Sequence, residues 1–198
     1  MALFGLTVNS LYAAASEKKV LAFGDSLTAG LGVPYDKSFP AQLEKKLRAD
    51  GYAVTVINAG ISGDTTSGGL SRLDWTLQQK PDYIIIELGA NDMLRAIDPA
   101  VPRKNLEQML KILQQRKIPV LLAGMKCTRN LGQKYVTAFD GIYPDLAKKY
   151  NAVYYPFFLE GVALHPDLVQ DDGLHPNANG VAVIVDKILP DVKKLLKQ

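Results

Sequence analysis

Residues 20–27 read Val-Leu-Ala-Phe-Gly-Asp-Ser-Leu, a short apolar run that ends at a glycine and two polar side chains. Four more apolar runs of this kind follow along the chain: Val54–Ile57, Tyr83–Ile86, Val120–Ala123 and Val153–Tyr155. Each has the length of a strand and lacks strict apolar–polar alternation, which is typical of strands buried on both faces of a sheet. The runs therefore predict five buried β-strands.

Amphipathic stretches separate these runs. Ser38-Phe39-Pro40 predicts the start of a helix that ends at Gly51. Apolar residues recur at helical spacing in two further stretches: Leu70, Leu73 and Leu77, then Leu106, Met109, Leu110 and Leu113. We also expect helices over residues 134–150 and 177–196. Strand–helix alternation repeated five times predicts one α/β domain over residues 17–198, with helices on both faces of a parallel sheet.

The composition of the chain limits the partners, disulfides and metal sites that we expect. The chain has 198 residues with 23 basic and 20 acidic side chains, a net charge of +3 and no clustered basic stripe, so we expect no nucleic-acid partner. Cys127 is the only cysteine, which excludes an internal disulfide. One cysteine and two histidines cannot supply a zinc cluster at ligand spacing, and no carboxylate pattern replaces them.

The first sixteen residues carry no charged side chain and end near Ala13-Ala14-Ala15. They are too few and too mixed for a membrane span, so we expect no stable membrane insertion. Small residues three and one before a cut after Ala15 resemble the end of a secretory signal peptide, although a basic start is missing. We therefore expect a periplasmic or secreted protein. If residues 1–16 are instead an ordinary apolar N-terminal segment, the protein is cytoplasmic.

Unusual polar clusters follow the apolar runs, where ligands bind in open parallel sheets. They are Gly24-Asp25-Ser26-Leu27, Asn58–Thr65, Gly89-Ala90-Asn91-Asp92 and, before the last helix, Asp171–Pro176. Taken singly, each is compatible with an ordinary turn or helix cap. Together they indicate a site at the carboxyl edge of the sheet.

Ser26 with a histidine would make a hydrolytic pair, and the histidine is either His165 or His175. His175 is favoured because Asp172 lies three residues before it, with Gly173 between to allow a tight turn. His175 would remove the proton from the Ser26 hydroxyl, and Asp172 would hold the second ring nitrogen and fix the tautomer. Suitable donors for the developing oxyanion are the N–H groups of Ser26 and Gly63 and the side-chain amide of Asn91.

These blocks, in this order between residues 24 and 176, resemble the GDSL, or SGNH, hydrolases. Ile61–Thr65 and the overall length are similar to the bacterial acyl-CoA thioesterase, lysophospholipase and arylesterase group, whose members act in lipid metabolism and are commonly periplasmic. The resemblance implies a flavodoxin-like three-layer α/β/α fold with a five-stranded sheet. It also implies a Ser26–His175–Asp172 triad, an oxyanion hole of Ser26, Gly63 and Asn91, and neither metal nor cofactor.

The leading hypothesis is a serine hydrolase of carboxylic esters and thioesters with small-molecule acyl substrates, working as a monomer through an acyl-enzyme on Ser26. Met93, Leu94 and Ile97 would place apolar groups beside the acyl site, unless they merely pack the loop. An apolar groove between the loops 93–97 and 124–133 would suit acyl chains. An open polar cleft would favour the alternative of a carbohydrate or peptidoglycan O-acetyl esterase. A non-catalytic ligand-binding module on the same fold is the alternative of another class.

Overall fold

The computed structural model describes residues 17–198, so the apolar segment 1–16 and its signal-peptide interpretation lie outside the described residues. The centre of the structure is a five-stranded parallel sheet in the order β2-β1-β3-β4-β5, the flavodoxin-like order. The strands are β1 (Lys18–Gly24), β2 (Val54–Gly60), β3 (Tyr83–Glu87), β4 (Val120–Ala123) and β5 (Val153–Tyr155). All five lie where the apolar runs predicted them.

Within residues 17–198, eight α-helices connect and follow the strands, with the bounds α1 (Ser26–Ala29), α2 (Phe39–Ala49), α3 (Thr66–Thr76), α4 (Ala90–Leu94), α5 (Ala100–Gln115), α6 (Gln133–Asp140), α7 (Ile142–Tyr150) and α8 (Ala178–Leu195). Helix α2 packs against α8, whereas α3 packs against α5 and α5 against α7. The helices thus form two groups on the two faces of the sheet, which confirms the three-layer α/β/α prediction.

The middle layer is apolar because each strand is covered on both sides. Val20, Leu21 and Phe23 of β1 and Ile84, Ile85 and Ile86 of β3 are fully buried. The facing helices contribute periodic apolar residues, such as Leu106, Met109, Leu110 and Leu113 of α5. Burial of this continuous core is the main stabilising term of the fold.

The prediction of one helix over residues 134–150 is wrong, because the chain forms two helices that meet at Gly141. Pro144 explains the break: it has no N–H to donate to the carbonyl of Asp140, and its ring crowds that carbonyl. The side chain of Asp140 is in addition held by the Cys127 N–H, at 2.8 Å. Within residues 17–198 no helix is long and apolar enough to cross a membrane.

The register of the sheet brings the polar clusters together. Gly24, the last residue of β1, pairs with Gly60 at the end of β2 and with Glu87 at the end of β3. Because β1 lies between β2 and β3, the loops that leave these three strands start side by side at the carboxyl edge. Residues two to four positions beyond these ends are therefore neighbours.

Candidate active site

Ser26 is the first residue of α1, directly after the turn that ends β1. Asp25 is the N-cap of this short helix, and its Oδ1 accepts from the Leu27 N–H at 3.0 Å. Ser26 is itself only 8% exposed, and its hydroxyl reaches the site cavity. The serine is thus held at the carboxyl edge by the sharp strand-to-helix turn.

The side chain of His175 lies against this hydroxyl, with His175 Nε2 2.9 Å from Ser26 Oγ. On the other side of the ring, Nδ1 lies 2.6 Å from Asp172 Oδ2. Asp172 Oδ1 accepts the backbone N–H groups of His175 (3.0 Å) and Leu174 (2.9 Å). These hydrogen bonds, led by that from the His175 backbone and then that from its ring, lower the pKa of Asp172 to about 2.

Asp172, Gly173 and His175 form one compact turn before α8. Gly173 has a φ of +70°, a left-handed conformation that glycine adopts without strain. The predicted preference for His175 over His165 agrees with this geometry. His165 instead precedes a short 3₁₀ turn (Pro166–Leu168) and does not line the cavity.

The three proposed oxyanion donors leave the ends of β1, β2 and β3. Among residues 17–198, the N–H groups of Ser26 and Gly63 have no protein acceptor. Gly63 has a φ of +79°, and its carbonyl is fixed by Arg95 at 2.9 Å. One N–H of the Asn91 amide donates to Asp25 Oδ2 at 3.1 Å, which leaves the second N–H free to bind a ligand.

Buried acids order the loops around the site. Asp92 accepts the Thr66 N–H (2.8 Å) and hydroxyl (2.6 Å), so it caps the start of α3. Its burial is the main reason for its raised pKa. Asp64 pairs with Arg72 at 2.7 Å rather than with a backbone N–H. Each of these contacts fastens one catalytic-edge loop to an element beside it.

A cavity of about 240 Å³ opens beside Ser26, Asn91 and His175. Its walls are mostly apolar and come from three loops; they include Met93, Leu94, Met125, Phe157, Leu159, Val162, Ala163, Leu164 and Leu174. Gly63 does not line this cavity and lies in the neighbouring loop. Lys126 and Thr128 contribute polar atoms to the wall.

Met93 and Leu94 are where the sequence predicted them, but Ile97 does not line the cavity. Helix α4 ends at Leu94, and Ala96 then adopts a φ of +49°. The Ile97 N–H turns back to the Asp92 carbonyl, and the Ile97 carbonyl accepts the Tyr135 hydroxyl at 2.7 Å. The chain therefore reverses direction before residue 97 and carries it away from the cavity.

Sequence reasoning missed three features of this edge. The wall after β5 was signalled only by the apolar run Phe157-Phe158-Leu159. Arg72 resembled an ordinary charged helix residue, yet its guanidinium binds Asp64 and the carbonyls of Ala59 and Gly24. Glu87 closes an apolar strand and is completely buried. In residues 17–198, no group of three or more His, Cys, Asp and Glu side chains is arranged to hold a metal ion.

Comparison with known proteins agrees with this geometry. Residues 22–183 match the GDSL-like lipase/acylhydrolase family. An arylesterase of Vibrio mimicus is 40% identical over 93% of this chain and 92% of its own length. Thioesterase 1/protease 1/lysophospholipase L1 of Escherichia coli K12 is 37% identical over 93% of this chain and 88% of its own.

A solved structure of AlinE4, an esterase of the SGNH-hydrolase family, is 50% identical and superposes with a TM-score of 0.78. The superposition covers 93% of this chain and 99% of the AlinE4 chain. The family match, the two curated relatives and this structure all span most of the molecule, including the carboxyl edge of the sheet. The chain therefore belongs to the GDSL-like lipase/acylhydrolase family of SGNH hydrolases.

Proposed function

We propose that the protein, a serine esterase of this family, hydrolyses carboxylic esters and thioesters through an acyl-enzyme on Ser26. The observation that carries the proposal is the continuous hydrogen-bonded series Ser26–His175–Asp172, with distances of 2.9 and 2.6 Å. A hydroxyl is a weak nucleophile unless a base takes its proton during attack, and a carboxylate-oriented imidazole is such a base. A binding module would have no use for this arrangement.

In the first half of the reaction, Ser26 Oγ attacks the acyl carbon while His175 Nε2 takes the hydroxyl proton. Asp172 holds Nδ1–H and stabilises the imidazolium that forms. The N–H groups of Ser26, Gly63 and Asn91 bind the oxyanion. The tetrahedral species then collapses, His175 gives the proton to the departing alcohol or thiol, and the acyl group remains on Ser26.

In the second half, His175 takes a proton from a water molecule, whose oxygen attacks the acyl carbon of the acyl-enzyme. The same donors hold the second oxyanion. Collapse breaks the bond to Ser26 Oγ, His175 returns the proton to that oxygen, and the carboxylic acid leaves. The named residues and water account for every bond and proton in both half-reactions.

The shape and polarity of the cavity support acyl substrates over acetylated sugars. Methionine, leucine, valine and phenylalanine side chains cover most of the wall beside Ser26. Such a surface gains free energy by burying an alkyl or aryl group, whereas sugar hydroxyls would lose hydrogen bonds to water there. Aryl esters and medium or long acyl chains are therefore the proposed substrates, with the relatives' names supporting both ester and thioester cleavage.

Ser26→Ala tests the assignment of the nucleophile. Hydrolysis of p-nitrophenyl butyrate should fall by at least about 10³-fold, whereas the thermal unfolding temperature should change little. Fluorophosphonate should label the wild-type chain at Ser26 and leave the variant unlabelled. The matched control is Ser71→Ala, which removes an exposed hydroxyl bonded within α3. Unaltered turnover in Ser26→Ala would contradict the assignment of the triad.

The substrate class is tested by initial rates over p-nitrophenyl esters from acetate to palmitate, an acyl-CoA and acetylated xylan. We expect kcat/KM to rise with chain length beyond acetate and to exceed that for the sugar ester. Preference for the acetylated polysaccharide would instead favour the O-acetyl esterase alternative.

We also propose that residues 17–198 act as one monomeric domain exported from the cytoplasm. The support for export is the uncharged stretch 1–16 that ends in small residues. Fractionation of cells that express the full chain, with N-terminal sequencing of the product, should find it outside the cytoplasm and cut near Ala15. An intact cytoplasmic chain would contradict the proposal.

A further inference from the structure

The carboxyl group of Glu87 lies directly beneath the turn that presents Ser26. Glu87 is the last residue of β3, pairs with Gly24 in the sheet and is fully buried. Its Oε2 accepts the Thr28 hydroxyl at 2.8 Å and faces the Asp25 N–H at 3.4 Å. One buried oxygen thus contacts the residues on both sides of the Ser26–Leu27 pair.

Gly24 leaves the space that this carboxyl group occupies. A Cβ placed on residue 24 would lie 2.6 Å from Glu87 Oε2 and 2.1 Å from Thr28 Oγ1. Moving either atom would break the hydrogen bond between them, and the backbone carbonyl oxygen of Glu87 is also 2.6 Å from that Cβ. The first glycine of the Gly-Asp-Ser-Leu block is therefore explained by the approach of Glu87 and Thr28.

Asp25 supplies a second buried carboxyl group beside the first. It is completely buried, and its two oxygens accept from the Leu27 N–H and the Asn91 amide. The second oxygen of Glu87, Oε1, is buried with no partner among residues 17–198. A buried carboxylate oxygen without a donor is costly, whereas a protonated one becomes a donor itself.

No cation neutralises this carboxyl pair in the part of the chain that the structure describes. Arg72 of α3 donates to the Gly24 carbonyl, but its charge is paired with Asp64. Tyr143 of α7 donates to the Leu88 carbonyl, and Asp92 of α4 is bonded to Thr66. The remaining charge that acts on Asp25 is that of His175. Two adjacent carboxyl groups in such a place share one proton.

The electrostatics assign that proton to Glu87. Burial, and next the charge of Asp25, raise the pKa of Glu87 well above its ordinary value. Burial also raises the pKa of Asp25, but hydrogen bonds from Leu27, Asn91 and Glu87 limit the rise to about 6. Of the two carboxyl groups, Glu87 therefore holds a proton more readily than Asp25.

We propose that Glu87 is a positioning residue whose protonated carboxyl group donates to Asp25, so that Asp25 holds the amide of Asn91 toward the acyl site. The inference rests on the proposed function, because it assigns Asn91 to the oxyanion hole. The proposal predicts that a neutral hydrogen-bonding side chain can take over the role of Glu87. A glutamine amide, for example, can donate to Asp25 and accept from Thr28.

The test compares Glu87→Gln with Glu87→Ala on p-nitrophenyl butyrate. Glu87→Gln should retain kcat within about threefold, whereas Glu87→Ala should lower kcat at least about tenfold with KM changed less than about twofold. Glu107→Ala is the matched control, because it removes a partly exposed acid on α5 whose partner is Lys149. Equal kcat in all three variants would overturn the positioning role, and an equal loss in Glu87→Gln and Glu87→Ala would overturn the proposal that Glu87 acts as a neutral donor.

Infrared spectroscopy tests whether the carboxyl group of Glu87 is protonated, without relying on activity or on the alanine variant. At about pH 8 in D₂O, Asp25 is ionised, so the carbonyl stretch of a neutral carboxylic acid should be present in the wild type and absent from Glu87→Gln. No such difference band would overturn the proposal. Failure of the esterase proposal is recognised separately, as a wild-type chain that carries the band but hydrolyses no ester.

Discussion

In the proposed mechanism, the side-chain amide of Asn91 serves two neighbours. Its Nδ2 donates to Asp25 at 3.1 Å, and the remaining hydrogen is available to an oxyanion beside Ser26. Asn91→Ala should therefore lower kcat by about 10²–10³-fold with a modest change in KM, because the bond forms mainly in the transition state. Steady-state kinetics on a p-nitrophenyl ester measure both constants. A rise in KM alone would mean that Asn91 binds the ground-state substrate instead.

Single residues were predictable where the required chemistry restricts the choice. Only two histidines exist, and only His175 has an acid three residues before it, so the Ser26–His175 proximity followed from elimination and the family pattern. Glu87 carried no comparable signal, because one acid at the end of an apolar strand fits an ordinary exposed strand end. Its burial follows from the approach of Asp25 and Thr28, which are distant in sequence.

Among the elements, α3 is fastened to the sheet by Arg72. Its guanidinium binds Asp64 and the carbonyls of Ala59 in β2 and Gly24 in β1, and it lies 3.9 Å from the centre of the Phe23 ring. The Arg72 and Asp64 side chains are only 14% and 11% exposed. This one residue therefore ties together the strand ends that lead to Ser26 and Gly63.

Arg72→Ala should destabilise the fold by about 3 kcal/mol, since it leaves a mostly buried Asp64 and two carbonyls without their donor. Urea unfolding measures this change, and kcat should fall with it as the Gly63 loop loosens. Arg103→Ala is the control, because Arg103 and Asp145 are 39% and 64% exposed and such pairs contribute at most about 1 kcal/mol. Equal losses of unfolding free energy in the two variants would contradict the role of Arg72 in holding the strand ends together.

Element types were predictable from apolar periodicity, but the break at Gly141 was not. The apolar pattern continues through residues 134–150, so periodicity alone extends one helix across it. The signal was Pro144, whose missing N–H faces the carbonyl of Asp140 four residues earlier. A proline in the first turn of a helix is ordinary, so its presence does not distinguish a helix start from a kink until the packing is known.

Over the whole molecule, strand order decides which loops meet. Strand–helix alternation predicts a parallel sheet, but it does not determine which strand lies between which. The observed order places β1 between β2 and β3, so three loops separated by tens of residues converge on Ser26. That order followed from the family resemblance, whereas the local sequence gave only the strands.

The proton on Glu87 should affect how the free energy of unfolding of the whole molecule depends on pH. Burial and the neighbouring Asp25 raise the pKa of Glu87 well above 4.5, so the folded chain keeps a proton that the unfolded chain loses. The folded state then binds more protons, and this group makes the free energy of unfolding decrease as pH rises. Glutamine does not titrate, so Glu87→Gln should gain stability relative to the wild type with rising pH.

The gain should begin near pH 4.5, approach about 1.4 kcal/mol per pH unit and level off once pH exceeds the folded-state pKa. Urea unfolding of both chains from about pH 4 to 8 measures the difference, in which the titrating groups remote from Glu87 largely cancel. Glu107→Gln is the control of opposite sign: the hydrogen bond from Lys149 lowers the pKa of Glu107, so its loss should not stabilise the chain as pH rises. A flat difference for Glu87→Gln would mean that Glu87 ionises in the folded protein as it does in the unfolded one, and that the carboxyl pair beneath Ser26 shares no proton.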